Sequence, residues 1–176
     1  VNEHLSKNAH RIEVSQKDVV NKDISHQYMV CDEKEKLSKL LDLLKTEGNE
    51  RGVVFCRTKK ATQLLTKQLI AKNIAADAIH GDLLQKERDK AMRSFKNGRV
   101  NILVATDLAA RGIDIDGLSW VVHYQLPDQE EYYTHRSGRT ARAGKKGISL
   151  CLVTSTELAQ LKTYEKSLNL TFKKLR

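Results

Sequence analysis

Six short apolar runs recur along the chain, at His26 to Cys31, Val53 to Cys56, Ala75 to His80, Ile102 to Ala105, Trp120 to Tyr124 and Ile148 to Val153. Between them the apolar positions change period. Leu37, Leu40, Leu41 and Leu44 follow helical spacing, as do Leu65 with Leu69 and Ala91 with Phe95, so each would line one face of a helix. Strand-like runs alternating with amphipathic helices predict an α/β fold built from βαβ units. The runs near residues 53, 102 and 121 are almost wholly apolar and rich in Val or Ile, as expected of parallel strands buried on both faces. The expected architecture is a three-layer sandwich, a mostly parallel sheet with helices on both faces. Asp32 stands three residues before Glu35, and Asp128 three before Glu131 just after Pro127. Both pairs fit helix-opening capping boxes. Residues 1–22 are polar and weakly periodic and read as a linker or the end of a preceding domain, which leaves 23–176 as one folded domain. No internal repeat interrupts the pattern.

Composition narrows the partner. The 176 residues carry 31 Lys plus Arg against 22 Asp plus Glu, a net charge of +9, with 40% hydrophobic residues. That is an ordinary globular composition with a basic excess, which favours a polyanion such as nucleic acid over an acidic metabolite. Charge alone does not distinguish RNA from DNA or from an anionic membrane. Cys31, Cys56 and Cys151 are odd in number, far apart and set in apolar runs; they read as reduced core residues rather than a disulfide framework or metal site. The histidines (His4, His10, His26, His80, His123, His135) lack metal-site spacing, and no metal is expected. No apolar run approaches the roughly 20 residues that a membrane span needs, and the amino terminus lacks a signal-peptide core. A cytoplasmic protein without a membrane partner is the expectation.

The chemically able residues cluster at the carboxyl ends of the predicted strands, where open parallel sheets bind ligands. Arg57, Thr58 and Lys59 follow one strand, His80, Gly81 and Asp82 the next, and Thr106, Asp107, Arg111, Gly112 and Asp114 a third. Thr58 and Thr106 are candidate helix N-caps, a role compatible with phosphate binding at a helix start. The stretch from His135 to Arg142 packs Arg136, Arg139 and Arg142 around Gly138, followed by Lys145 and Lys146. Guanidinium forks suit phosphate, although a solvated basic loop reads equally well from that stretch alone.

Four blocks in order, VVFCRTK (53–59), HGDLLQKERDKAM (80–92), ATDLAARGIDI (105–115) and HRSGRTAR (135–142), closely resemble the second RecA-like domain of DEAD-box RNA helicases of superfamily two. The resemblance covers roughly residues 24–170. It implies arginine fingers at Arg139 and Arg142, aimed at the γ-phosphate of ATP, and contacts to ATP from Gly112 and Asp114. It implies grip on the single-stranded RNA backbone by Arg57, Thr58, Gly81, Gln85, Arg88 and Thr106, with orientation of Arg88 as the alternative role for Gln85, and coupling between the two sites by Asp107, His135 and Arg136. Buried ion pairing is the plain alternative for Asp114, surface ion pairing for Arg139 and Arg142, and a structural role for the coupling residues. Two positions depart from the family pattern: Ala141 stands where glycine is common and Ser137 where an aliphatic residue is common.

The chain has neither a P-loop nor a D-E-A-D sequence; the nearest approach to a P-loop, Gly138 to Lys146, has five residues between its glycines instead of four. ATP with Mg2+ is therefore expected to be held mainly by an N-terminal RecA-like domain of the same protein, and this chain alone to be a monomer, inactive as an ATPase, that binds RNA weakly. A DNA-directed motor of the same superfamily and a non-catalytic nucleic-acid-binding module remain the alternative functions.

Overall fold

A computed structural model describes residues 23–141 and 144–176. Its strands are β1 (Ile24–Val30), β2 (Gly52–Phe55), β3 (Ala76–Ile79), β4 (Ile102–Ala105), β5 (Trp120–His123), β6 (Gly147–Val153) and β7 (Lys173–Lys174). They form one sheet in the order β3-β4-β2-β5-β6-β1-β7, with every pairing parallel. The expected mostly parallel sheet is thus wholly parallel among the described strands. β2 lies in register between β4 and β5, Val54 opposite both Val104 and Val122. All three are fully buried, as the uninterrupted apolar runs required.

Alternation along the strands sorts the core into two faces. Val54, Val104, Val122 and Leu150 face one side, where they meet Leu40 from α1 (Lys36–Glu47) and Leu65 and Leu69 from α2 (Lys59–Ala71). Val53, Leu103 and Val121 face the other, under Ala91 and Phe95 of α3 (Gln85–Lys96) and the short α4 (Asp107–Ala110). Farther along that side, Cys151 and Val153 pack with Tyr133 of α5 (Glu130–Ser137) and with Leu161 and Tyr164 of α6 (Leu158–Ser167). Helices cover both faces, as expected. Cys31, Cys56 and Cys151 are free and buried, and no metal-holding cluster occurs among the described residues.

One capping pair forms and the other does not. The Glu35 carboxylate accepts from the Asp32 backbone N–H at 3.0 Å, opening a 3-10 turn that runs into α1. The Asp128–Glu131 pair is replaced by a helix start at Glu130 with Gln129 as its N-cap, because the Asp128 carboxylate is drawn to Arg57 at 3.2 Å instead. β7 was not foreseen: two exposed lysines give no apolar pattern, and their backbone pairing with Gln27 and Tyr28 is anchored by the flanking Phe172, buried against Tyr28, and by Leu175 on the other face. No described helix is long and apolar enough to cross a membrane. The linker expected over residues 1–22 lies outside the described residues.

Candidate functional site

The site is organised around the segment that follows β4. Thr106 caps α4, its hydroxyl accepting from the Ala109 N–H at 3.4 Å. Arg136, on α5 and only 1% exposed, donates to both oxygens of Asp107 at 2.6 and 2.7 Å. It also donates to the Gln125 carbonyl at 2.8 Å, and its guanidinium lies 5.2 Å from the Phe55 ring centroid. A guanidinium taken out of water needs this full set of partners. Just beyond α5, Arg139 donates to the carbonyls of Ile113 at 2.8 Å and Ala110 at 2.9 Å. From α3, Arg88 donates to the carbonyl of Ala109 at 3.0 Å. Three arginines from two helical regions thus hold the stretch from Thr106 to Ile115.

Asp107, His135, Arg136 and Arg139 come together on one cleft of about 260 Å³, completed by Phe55, Arg111 and Tyr132. Arg111 sits 5.6 Å from the Tyr132 ring centroid. Asp114 is exposed and has no hydrogen-bond or ion-pair partner among the described residues, so the buried salt bridge considered for it is not formed. Gly112 lies beside Arg88: a methyl group there would come 3.9 Å from its Nη2. Arg142 lies outside the described residues.

The candidate backbone-binding residues lie farther along the same sheet edge. Thr58 caps α2 through its hydroxyl, which accepts from the Ala61 N–H at 3.1 Å. Arg57 donates from Nε to the Leu126 carbonyl at 2.6 Å, and its own N–H donates to Gln125 Oε1 at 2.7 Å. A methyl group on Gly81 would meet nothing within 4 Å, so no contact within the chain calls for glycine there. Lys59 pairs with Asp82 at 2.8 Å and holds its carboxyl below the usual range. Gln85 makes a bond within its own helix. Its amide donates to Asp89 at 2.9 Å, since Asp89 lies one helical turn away on the same face of α3, and no bond to Arg88 forms.

Beneath the cleft lies a buried polar cluster that the sequence reading missed. Ser137 Oγ is 2.8 Å from Ser149 Oγ, which is 2.8 Å from His123 Nε2; His26 Nδ1 is 2.6 Å from the Tyr133 hydroxyl. Ser137, the departure from an aliphatic residue, therefore has hydroxyl partners in place of packing. Arg136 can only donate, so its 3.5 Å approach to His123 Nδ1 makes that nitrogen the acceptor and Nε2 the protonated one. Burial lowers the pKa of His26 to about 4 and holds His123 well below its ordinary value. The other departure, Ala141, adopts φ 63°, a left-handed conformation that favours glycine. Gln125, Asp128 and Phe55 were also missed, although the first two follow β5 where the strand-end rule would have placed them.

Residues 35–144 match the family described as the helicase conserved C-terminal domain. The chain is 44% identical over 156 residues to the DEAD-box ATP-dependent RNA helicase CshA of Bacillus cereus, covering 89% of this chain and 30% of that protein. It is 39% identical over 165 residues to RhpA of Helicobacter pylori, covering 94% and 34% respectively. It spans about a third of the length of such relatives. Among solved structures, a DEAD box protein from Methanococcus jannaschii superposes with a TM-score of 0.83 at 41% identity, over 89% of this chain and 43% of that one. S. cerevisiae Dbp5 bound to RNA and ADP BeF3 gives 0.81 at 31% identity, over 87% and 41%.

Proposed function

This chain belongs to the DEAD-box ATP-dependent RNA helicases, as their C-terminal RecA-like domain, and from that premise we propose that it supplies one half of a bipartite, RNA-stimulated ATPase. The observation that carries the reading is the shared grip on the stretch from Thr106 to Ile115. Arg88, on the proposed RNA side, and Arg136 and Arg139, on the proposed nucleotide side, bond to the same short segment. A displacement at either ligand is felt at the other, and such coupling is reciprocal.

ATP with Mg2+, held mainly by the N-terminal RecA-like domain, supplies the scissile phosphate and the charge that neutralises it. The residues present fit it: a cleft is lined by the guanidiniums of Arg111, Arg136 and Arg139, and Asp114, next in sequence to the Ile113 carbonyl that Arg139 grips, is an exposed carboxylate without a partner among the described residues. Asp114 accepts from a ribose hydroxyl, with Gly112 leaving room beside it. Domain closure brings Arg139 and Arg142 to the phosphates, and Arg139 exchanges its carbonyl partners for phosphate oxygens. Arg57, Thr58, Gly81, Gln85, Arg88 and Thr106 hold the RNA backbone, contacts that position a strand without reading its bases. Asp107, His135 and Arg136 keep the two sites in register. A strand held bent across both domains cannot stay paired, so a short duplex opens locally. The protein acts in the cytoplasm, and this chain by itself is monomeric and silent as an ATPase.

In the full-length protein, Arg142→Ala slows hydrolysis by about 10³ with little loss of RNA affinity. Arg88→Ala weakens RNA binding and flattens its dependence on salt. Equal losses of hydrolysis and binding in the first variant, or an unchanged salt slope in the second, refute the separation of roles.

A further inference from the structure

The arginine cleft is not the only hollow on the molecule, and a second one is larger. It is a groove of about 640 Å³ at the opposite, amino-terminal ends of β3 and β4, between the carboxyl ends of α1 and α2. Its floor is aliphatic: Leu41, Leu44 and Ile74 pack against the core yet remain only half-buried, with no helix laid over them. Its walls carry the exposed ammoniums of Lys45 and Lys72, neither of which has an ion-pair partner among the described residues. Three carboxamides, Asn49, Asn73 and Asn101, line the same groove, and none makes a side-chain hydrogen bond among the described residues. Glu50, a rim carboxylate, is occupied by the Ser119 hydroxyl at 2.6 Å.

An apolar floor flanked by free cations and idle amides selects its occupant chemically. A nucleic-acid strand would set phosphates over aliphatic carbon, and the lining offers no aromatic ring on which bases could stack. An extended or helical peptide matches all three features. Leu, Ile or Phe anchors fill the floor, carboxylates meet the two lysines, and peptide N–H and C=O groups pair with the carboxamides. We propose that this groove docks an acidic linear segment of a partner protein, bearing aliphatic or aromatic anchors between Asp and Glu. It lies at the far edge of the sheet from the arginine cleft, so a partner seated there leaves the cleft open.

The test uses a fluorescein-labelled pool of dodecapeptides in which Asp or Glu alternates with Leu, Ile or Phe, titrated with the 176-residue chain, and a control pool with Lys in place of the acids. The acidic pool binds and the lysine pool does not. Reversing both exposed cations, Lys45→Glu with Lys72→Glu, weakens binding about tenfold, while Arg88→Ala leaves it unchanged. Amide chemical-shift changes on binding fall at residues 41–50 and 72–75. Equal binding of the two pools, no effect of the double reversal, displacement by single-stranded RNA, or shift changes at the carboxyl ends of the strands overturns the proposal. Self-association of the chain abolished by the same double variant overturns it also, because the groove would then belong to a second copy.

Discussion

Ala141 is held at φ 63° between a buried Thr140 and the basic stretch that follows, and an L-residue there carries about 1–2 kcal/mol of strain. Ala141→Gly removes that strain at the smaller cost of a freer unfolded chain. Thermal denaturation will show Tm raised by about 2 °C; a lower Tm would place the backbone elsewhere. His26, against Tyr133 and Phe172, sits neutral in the core with a pKa of about 4, against about 6.5 in an unfolded chain. Between those values the unfolded state binds more protons than the folded one, so stability is complete above pH 6.5 and falls as the pH drops toward 4. His26→Phe, whose ring suits the neighbouring Tyr133 and Phe172, will flatten part of that decline in urea midpoints measured from pH 7 to 4.5. An identical decline in wild type and variant would assign it to other groups. At this scale the sequence disclosed residue types better than partners. The arginines were legible because their spacing is chemical, whereas the bonds of Gln85 to Asp89 and of Arg57 to Leu126 depend on rotamers and on loops distant in sequence.

The elements were readable wherever burial imposed a period. The six longer strands lie within one or two residues of their apolar runs, and α1, α2 and α3 lie over theirs. β7 was invisible because only its flanking Phe172 and Leu175, one on each side of a lysine pair, reach the core, and the Asp128 carboxylate pairs with Arg57, 71 residues away, rather than with the helix start beside it. Glycine at an element boundary carries similar tertiary information: a methyl group at Gly52 would overlap the Trp120 indole across the β2–β5 pair. Caps are where element and site meet. Thr58 closes the first turn of α2 and is also a proposed RNA contact. Thr58→Ala will lower the unfolding free energy by about 1 kcal/mol and, in the full-length protein, weaken RNA binding as well. A loss of stability with RNA affinity intact would reduce Thr58 to a cap.

Across the whole molecule, one sheet separates two surfaces of different character. The carboxyl ends of β2, β3 and β4 carry guanidiniums, capped helix starts and an unpaired carboxylate, while the amino ends of β3 and β4 carry an aliphatic groove flanked by lysines. The first surface gathers Asp107, His135, Arg136 and Arg139 in a cleft open to solvent, and nothing in this chain supplies a P-loop to face it. A guanidinium-lined cleft with no P-loop in this chain to face it is the physical core of the bipartite reading. The most direct test is phosphate release from ATP by the full-length protein, with and without single-stranded RNA, with matched DNA and this chain alone as controls. The account predicts strong stimulation by RNA, little by DNA and no turnover by this chain; turnover indifferent to RNA, or produced by this chain alone, would contradict it.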